Sequence, residues 1–374
     1  MKIALFSLFN SQNHGSVLQA CALASVIKQF GHSCEYIRWD YCKRDRISKA
    51  VFILRHPFFI KQLIEFKKTR RNDLDFSFFS EPEYRLIANK NAEFVKANTP
   101  VSLQSYTFDE LRYLNSNYDL FMVGSDQTWS KDNLLDFVPY YLTFVKDNNK
   151  KVSYASSIGS NSISIDFLRF LKKKLVSFKY LSCRELCNSR KLENELGKPV
   201  THVLDPTLLL SSNDWSKYMK RVEMPEQYIL CYILGERQCI VDYAQRLGKE
   251  KNLPVYYIQT RPFSAKQDIP IKGVDAGEFL YLINHCSCLV TDSYHGTIFA
   301  INFKKDFYSF NKYDGCSLDN GRIAEVLDFL GLKSRFLEVN KSSNLEPINY
   351  DDVHRKLDVM RTKSFNYLQQ ILSE

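Results

Sequence analysis

The sequence predicts an α/β protein built from two doubly wound parallel sheets, and three observations carry that prediction. Short apolar runs that read as strands alternate with helical patterns along most of the chain. At 374 residues the chain exceeds what one hydrophobic core usually organises, so two domains are expected. Hydrophobic residues make up 45% and aromatics 14%, with only 13 Gly and 11 Pro, a composition that fills globular cores and excludes disordered or fibrous classes.

The first forty residues read as strand, loop, helix, strand. The apolar run from Ile3 to Phe9 gives way to the polar loop Asn10-Ser-Gln-Asn-His-Gly15. Val17, Ala20, Cys21, Ala24 and Ile27 then repeat at helical spacing, Gly31 stops the helix, and Cys34 to Trp39 resumes an extended pattern. The result is a β-α-β unit.

A basic block follows. Between Lys43 and Arg71 ten Lys or Arg stand against Asp45 and Glu65, interleaved with apolar residues such as Phe52, Leu54, Phe59, Ile60, Leu63 and Phe66. Segment 43–75 reads as an amphipathic insertion of one or two helices broken near Pro57. It suits peripheral contact with an anionic membrane surface, and equally a solvated hairpin packed on its own domain.

Strand candidates then recur at Leu120 to Val123, Val152 to Ala155, Tyr180 to Cys183 and Val203 to Leu204. After a break from Ser211 to Pro225 they continue at Tyr228 to Leu234, Pro254 to Ile258, Cys288 to Thr291 and Asp306 to Phe310. A last helix keeps Val353, Leu357, Met360, Ser364, Leu368 and Ile371 on one face, with Asp351 and Asp352 in its first turn. The organisation expected is a domain over 1–210, a second over 211–345, and a C-terminal helix over 346–374 that crosses back to the first domain.

Other classes are disfavoured. The apolar start is shorter than a signal-peptide core, and no run approaches the roughly 18 apolar residues of a membrane span. The ten cysteines are scattered, and Cys183/Cys187 and Cys286/Cys288 lack zinc-site spacing, so a reducing, cytoplasmic setting without a metal is expected. The net charge of +9 is concentrated in the basic block, and the rest carries no nucleic-acid motif.

In open parallel sheets the ligand crevice lies beyond the carboxyl ends of the strands. The sharpest sequence there is Thr291-Asp292-Ser293-Tyr-His295-Gly296-Thr297, which opens the apolar helix Ile298 to Phe303. A helix start offers free amides and a positive dipole end to an anion, and His295 can donate a proton; the same residues also serve a simple cap. Arg184 ends the strand Tyr180 to Cys183, where it would face the crevice or pair with Glu185. Asn13-His14-Gly15-Ser16 forms another helix start, and Val123-Gly-Ser125-Asp126-Gln127 puts a carboxylate at a strand end.

Five segments together resemble the polysaccharide pyruvyl transferase family: Asn13-His-Gly-Ser-Val-Leu-Gln-Ala20, Val123-Gly-Ser-Asp-Gln127 before Trp129, Val152-Ser-Tyr-Ala-Ser156, Val203-Leu-Asp-Pro-Thr207 and Thr291-Asp-Ser-Tyr-His-Gly296. Arg322-Ile323 with Leu327 and Gly331-Leu332 fits the same family's closing pattern. The resemblance implies two Rossmann-like domains facing across a cleft in the GT-B-like manner. It implies transfer of pyruvate from phosphoenolpyruvate, a co-substrate, onto a sugar hydroxyl pair as a cyclic ketal, typically the 4- and 6-hydroxyls of a hexose in a surface or capsular glycan. No metal or organic cofactor is implied. Acceptors of this kind are commonly carried on a polyprenyl diphosphate at the inner face of the cytoplasmic membrane, which gives segment 43–75 a purpose as a docking element.

On this resemblance His295 is assigned to donor binding and proton donation, Arg184 to the donor's anionic groups, and the amides at Gly296 and Thr297 to phosphate. Asp126 and His14 are the two candidates for the sugar-side base, with Asn13, Gly15, Ser125 and Asp292 in the same crevice. Some family members carry Arg where this chain has Ser293, so one donor-binding charge is missing, and Arg237, Lys304, Lys305 or Arg322 would have to supply it. Two other readings compete: a nucleotide-sugar glycosyltransferase of the same architecture, and a non-catalytic glycan-binding protein.

Overall fold

The structure, a computed structural model, describes residues 1–9, 12–39, 82–130, 139–235, 237–260, 269–312, 321–338 and 345–373. The basic segment 43–75 lies outside the described residues, so its two readings stand where the sequence left them.

The first sheet contains β1 (Lys2–Phe6), β2 (Ser33–Trp39), β3 (Val101–Tyr106), β4 (Leu120–Val123) and β5 (Lys151–Ser153), in the spatial order β3-β2-β1-β4-β5. Every pairing is parallel. A short parallel pair, β6 (Ser182–Cys183) and β7 (Thr201–His202), prolongs it through single bridges from Tyr180 to Val152 and from Cys183 to Ser156. The second sheet contains β8 (Ile229–Tyr232), β9 (Val255–Gln259), β10 (Ile269–Lys272), β11 (Cys288–Thr291), β12 (Asp306–Phe310) and β13 (Phe336–Leu337), ordered β10-β9-β8-β11-β12-β13 and again wholly parallel. Both are Rossmann orders, so the chain is two Rossmann-like halves.

Three strands escaped the sequence reading, each at the edge of its sheet, and the strand expected at Val203 to Leu204 lies two residues earlier, at Thr201–His202. β3 and β10 are edge strands whose residues are largely solvent-facing, and β13 is a two-residue edge. β3 and β10 bury little and so lack the continuous apolar run that marks the central strands, while β13 is buried but too short to read as a run.

The helices are α1 (His14–Gln29), α2 (Pro82–Asn98), α3 (Ile165–Leu175), α4 (Leu186–Leu196), α5 (Ser212–Ser216), α6 (Gln238–Lys251), α7 (Ala276–His285), α8 (Tyr294–Asn302), α9 (Arg322–Leu330) and α10 (Tyr350–Ser373). Two of them, α1 and α8, are buried on nearly every side, which explains sequences apolar all round rather than along one stripe. Their apolar faces belong to one core that runs from the inner side of the first sheet through Trp215 and Phe279 to Leu289 and α10. The outer faces of the two sheets carry their own cores, one around Trp129 and Phe170, the other around Val241 and Tyr257.

The last helix does cross back. Tyr367 Oη donates to the Ser153 carbonyl (2.8 Å), and Ser364 Oγ accepts from the Leu204 amide (2.9 Å) in the first half. Arg361 reaches the Leu208 carbonyl (2.7 Å) and Asn302 Oδ1 in α8 (2.9 Å), so the same helix touches both halves. Further polar contacts join them directly: Lys90 pairs with Glu278 (3.0 Å), and the Ala276 amide that opens α7 donates to Asn91 Oδ1 (3.0 Å).

Candidate active site

In each sheet the strand order reverses between the first and fourth strands, β1/β4 in one half and β8/β11 in the other. A crevice opens at such a switch point because successive connections leave to opposite faces of the sheet. Here the two crevices face each other. Ser7, Leu8 and Phe9 follow β1, Asp126 and Gln127 follow β4, Leu234 follows β8, and Ser293, Tyr294 and His295 follow β11; all of them line one cleft of about 560 Å³. Arg38, Trp39 and Tyr140 continue its wall on the first half, and Arg322 closes it on the second.

The helix starts α1 and α8 meet across this cleft. Asn13 caps α1 by accepting from the Gly15 amide (3.0 Å), and Ser293 caps α8 by accepting from the Gly296 amide (3.3 Å). His295 lies directly on Gly15: a Cβ added there would stand 2.0 Å from its Nδ1. Only glycine leaves room for an imidazole from the other half. The second ring nitrogen, Nε2, makes no hydrogen bond and faces Asp205 Oδ2 at 3.6 Å, an ion-pair distance.

Behind the cleft Arg184 is completely buried and spends its guanidinium on three carboxylates: Nη1 on Asp205 (2.7 Å), Nη2 on Asp126 (3.2 Å) and Nε on Glu185 (3.4 Å). Asp126 also accepts from Ser16 Oγ (2.5 Å), and Ser157 Oγ donates to Glu185. Burial disfavours the charged form of Asp126, but Arg184, His295 and the Ser16 hydroxyl outweigh it and hold the carboxyl below the usual range. Asp205 is opposed by burial in the same way and is held further down by His295, Arg184 and the Thr207 amide. Both therefore remain ionised.

Tyr294 and Arg322 form a partition. The Tyr294 ring carries the Arg184 guanidinium at 4.8 Å and that of Arg322 at 5.4 Å. On the far side lies a second cavity of about 790 Å³, shared by Arg184, Tyr294 and Arg322 and walled by Leu186, Val326, Phe329 and Met360. Glu325, one turn after Arg322, bridges the halves there by accepting from the Leu186 and Cys187 amides that open α4 (2.9 and 3.2 Å).

Against this geometry the sequence profile of the polysaccharide pyruvyl transferase family matches residues 13–311, which span both halves of the cleft. The chain belongs to that family. No protein of the curated collection searched matches it significantly. Among solved structures, UDP-GlcNAc 2-epimerase from Methanocaldococcus jannaschii superposes with a TM-score of 0.51 at 12% identity, covering 96% of this chain and 93% of its own. The S. aureus MnaA structure with UDP gives 0.50 at 10% identity, covering 98% and 90%. These likenesses establish the GT-B-like fold and nothing of the chemistry.

As a family member the chain shows which motif residues reach the cleft. His295, Asp126, Ser293, Asn13 and Arg322 line it. His14 does not: it turns into the interface between the halves, against Phe279 and Tyr232 (5.0 and 6.2 Å between ring centres) with Asn91 Nδ2 3.4 Å from its Nδ1. Burial pushes its pKa down to about 4, and it is its place in the interface, off the cleft lining, that sets it apart from the sugar side. Arg184 is likewise corrected from a free anion clamp to the hub of a carboxylate cluster.

Several other motif residues hold the crevice in shape. Asp292 accepts from the Leu234 and Gly235 amides (2.5 and 2.6 Å) and so pins the loop after β8. The Thr297 hydroxyl bonds the Ser293 carbonyl and Ser309, which ties α8 to β12. Gly296 has no space for a side chain, because Thr291 Oγ1 would lie 2.7 Å from its Cβ, and its amide is already taken by the cap. Ser125 donates to the Ala155 carbonyl (3.0 Å). Arg237 is directed to the Asn311 carbonyl (2.7 Å), and Lys304 lies at the opposite end of α8 near Asp351. Of the cations weighed to replace an arginine at position 293, Arg322 alone lines the cleft.

Sequence reasoning passed over Asp205, Glu185 and Tyr294 as site residues. Asp205 carried a signal, since it follows β7 within Leu-Asp-Pro-Thr and caps the turn through the Thr207 amide (3.0 Å), but a capping aspartate reads as local structure until Arg184 is seen against it.

Proposed function

We propose that this chain transfers pyruvate from phosphoenolpyruvate to two hydroxyls of one sugar, closing a cyclic ketal and releasing phosphate. One observation carries the reading: a single cleft brings His295 and Arg322 of the second half against Asp126, Trp39 and Gln127 of the first. An acid and a cation thus oppose a wall with a carboxylate, a ring and an amide, which is what a phosphorylated enol acid and a sugar require of one site.

In this scheme His295 gives a proton to the methylene carbon of the donor, and the neighbouring carbon takes on oxocarbenium character. A sugar oxygen attacks that carbon and loses its proton. The carbon–oxygen bond to phosphate then breaks, and the second hydroxyl adds at the same carbon and loses its proton. One proton enters at the methylene and two leave the hydroxyls, the extra one departing with phosphate. Arg322 meets the donor's anionic groups in place of an arginine at position 293. Asp126, ionised and on the sugar side, receives the hydroxyl proton, while Trp39 and Tyr140 offer rings to the sugar face. The scheme draws on no metal, so activity that survives chelation is expected.

The acceptor class follows from the resemblance: a hexose with 4- and 6-hydroxyls, lipid-linked, in surface or capsular polysaccharide assembly at the cytoplasmic face. Among the described residues no helix is long and apolar enough to cross a membrane, so contact with that surface would fall to segment 43–75. Charge reversal at Lys61, Lys67, Lys68, Arg70 and Arg71 is expected to abolish retention on anionic liposomes; undiminished retention sinks the docking role.

The deciding experiment incubates the chain with phosphoenolpyruvate and a panel of lipid-linked galactose, mannose and N-acetylhexosamine acceptors, scored by product mass and phosphate release. Thermal stabilisation by a sugar nucleotide but not by phosphoenolpyruvate would overturn the reading in favour of a glycosyltransferase. Full activity of His295→Ala would point to a glycan-binding protein instead.

A further inference from the structure

Arg322 stands half-buried between the two cavities. Arg184, its neighbour, is matched by Asp126, Glu185 and Asp205, whereas among the described residues no carboxylate lies within ion-pair distance of Arg322. What Arg322 packs on is the ring of Tyr294, which carries Arg184 as well. Burial and the proximity of Arg184 work against its charge, while Glu185 and Asp126, beyond ion-pair distance, and the Tyr294 ring favour it.

We propose that Tyr294 is a positioning residue whose ring holds Arg322 at the seam between the two cavities, keeping a guanidinium that has no carboxylate partner among the described residues available to the donor's anionic groups. The physical cause is the negative face of the aromatic ring, which attracts a cation without neutralising it. A carboxylate in the same place would also fix Arg322 but would cancel the charge the donor needs. An aliphatic residue would leave the charge and lose the placement. Tyr294 precedes His295 in α8, so the same turn that presents the proton donor also sets the cation, and the two are spaced by one helical start. This inference rests on the reading of the cleft as a phosphoenolpyruvate site.

The test compares Tyr294→Phe, which keeps the ring, with Tyr294→Met, which keeps bulk without it, in steady-state assays of phosphoenolpyruvate-dependent phosphate release. Tyr294→Phe is expected within about twofold of the unaltered chain, while Tyr294→Met raises KM for phosphoenolpyruvate about tenfold and changes kcat by less than about threefold. In an Arg322→Gln background the methionine replacement should have no further effect, because the residue it positions is gone. Equal loss in Phe and Met variants, independent losses in the double variant, or an unchanged KM in Tyr294→Met would each overturn the proposal. Should the methionine variant fail to fold, Arg322→Lys in the intact ring background gives a second reading: an ammonium sits on the ring without the guanidinium's planar stacking, so KM should rise, and an unchanged KM overturns the role of the ring. A chain that releases no phosphate from phosphoenolpyruvate with any acceptor refutes the functional reading itself, which turnover indifferent to Tyr294 would leave intact.

Discussion

Gly15→Ala should separate catalysis from folding. An alanine Cβ at this position would stand 2.0 Å from His295 Nδ1, 2.2 Å from its Cγ and 2.7 Å from its Cβ. Ordinary carbon contacts begin near 3.5 Å, so the imidazole must retreat by about 1.5 Å, and it can retreat only into the cleft or toward Asp205. A displacement of about 1 Å at a reacting group costs on the order of 100-fold in rate, so kcat should fall at least that far. Stability should change much less. Overpacking costs about 1–3 kcal/mol, and Gly15, at the second position of α1, offers little helix-propensity gain in return. The assay is phosphate release at saturating donor and acceptor, run beside a urea titration. A kcat within about threefold of the unaltered chain, with an unchanged unfolding midpoint, would refute the claim that His295 works from its seat on Gly15.

Asp205→Asn removes the carboxylate shared by Arg184 and His295 and leaves a buried guanidinium short of a partner; a loss of about 3 kcal/mol in urea unfolding and of most activity is expected. The pH dependence of stability should show His14. Its folded pKa of about 4 lies below the unfolded 6.5, so its contribution is complete above pH 6.5 and is lost as pH falls toward 4, on the order of 3 kcal/mol in all. His202, also pushed down to about 4, adds to the same limb, and His14→Gln should flatten that limb in part without removing it. Glu325→Ala bares the first amides of α4, and a loss of about 1 kcal/mol by denaturant midpoint checks its part in joining the halves.

How far the sequence reaches depends on whether a residue's partner is local. The central strands and α1, α8 and α10 are legible because their apolar periodicity reflects burial they cannot avoid. His295 was legible from its place after a strand and at a helix start. Of the partners of Arg184 the adjacent Glu185 was legible, but Asp126 and Asp205 lie 58 and 21 positions away in the chain, and no spacing rule connects them. His14 misled for the same reason, since a histidine at a helix start after a polar loop reads as a crevice residue until Phe279 and Tyr232 of the other half are placed against it.

The carboxylate cluster around Arg184 has a consequence for life in a crowded solution. Three acids there stand against three guanidiniums, those of Arg184, Arg322 and Arg38, so the fixed charges around the cleft nearly cancel. Abundant small anions such as inorganic phosphate or sulfate are not drawn in by long-range attraction. On the proposed reading, occupancy has to be won by fitting several fixed groups at once, so the site selects by shape and contact rather than by net charge.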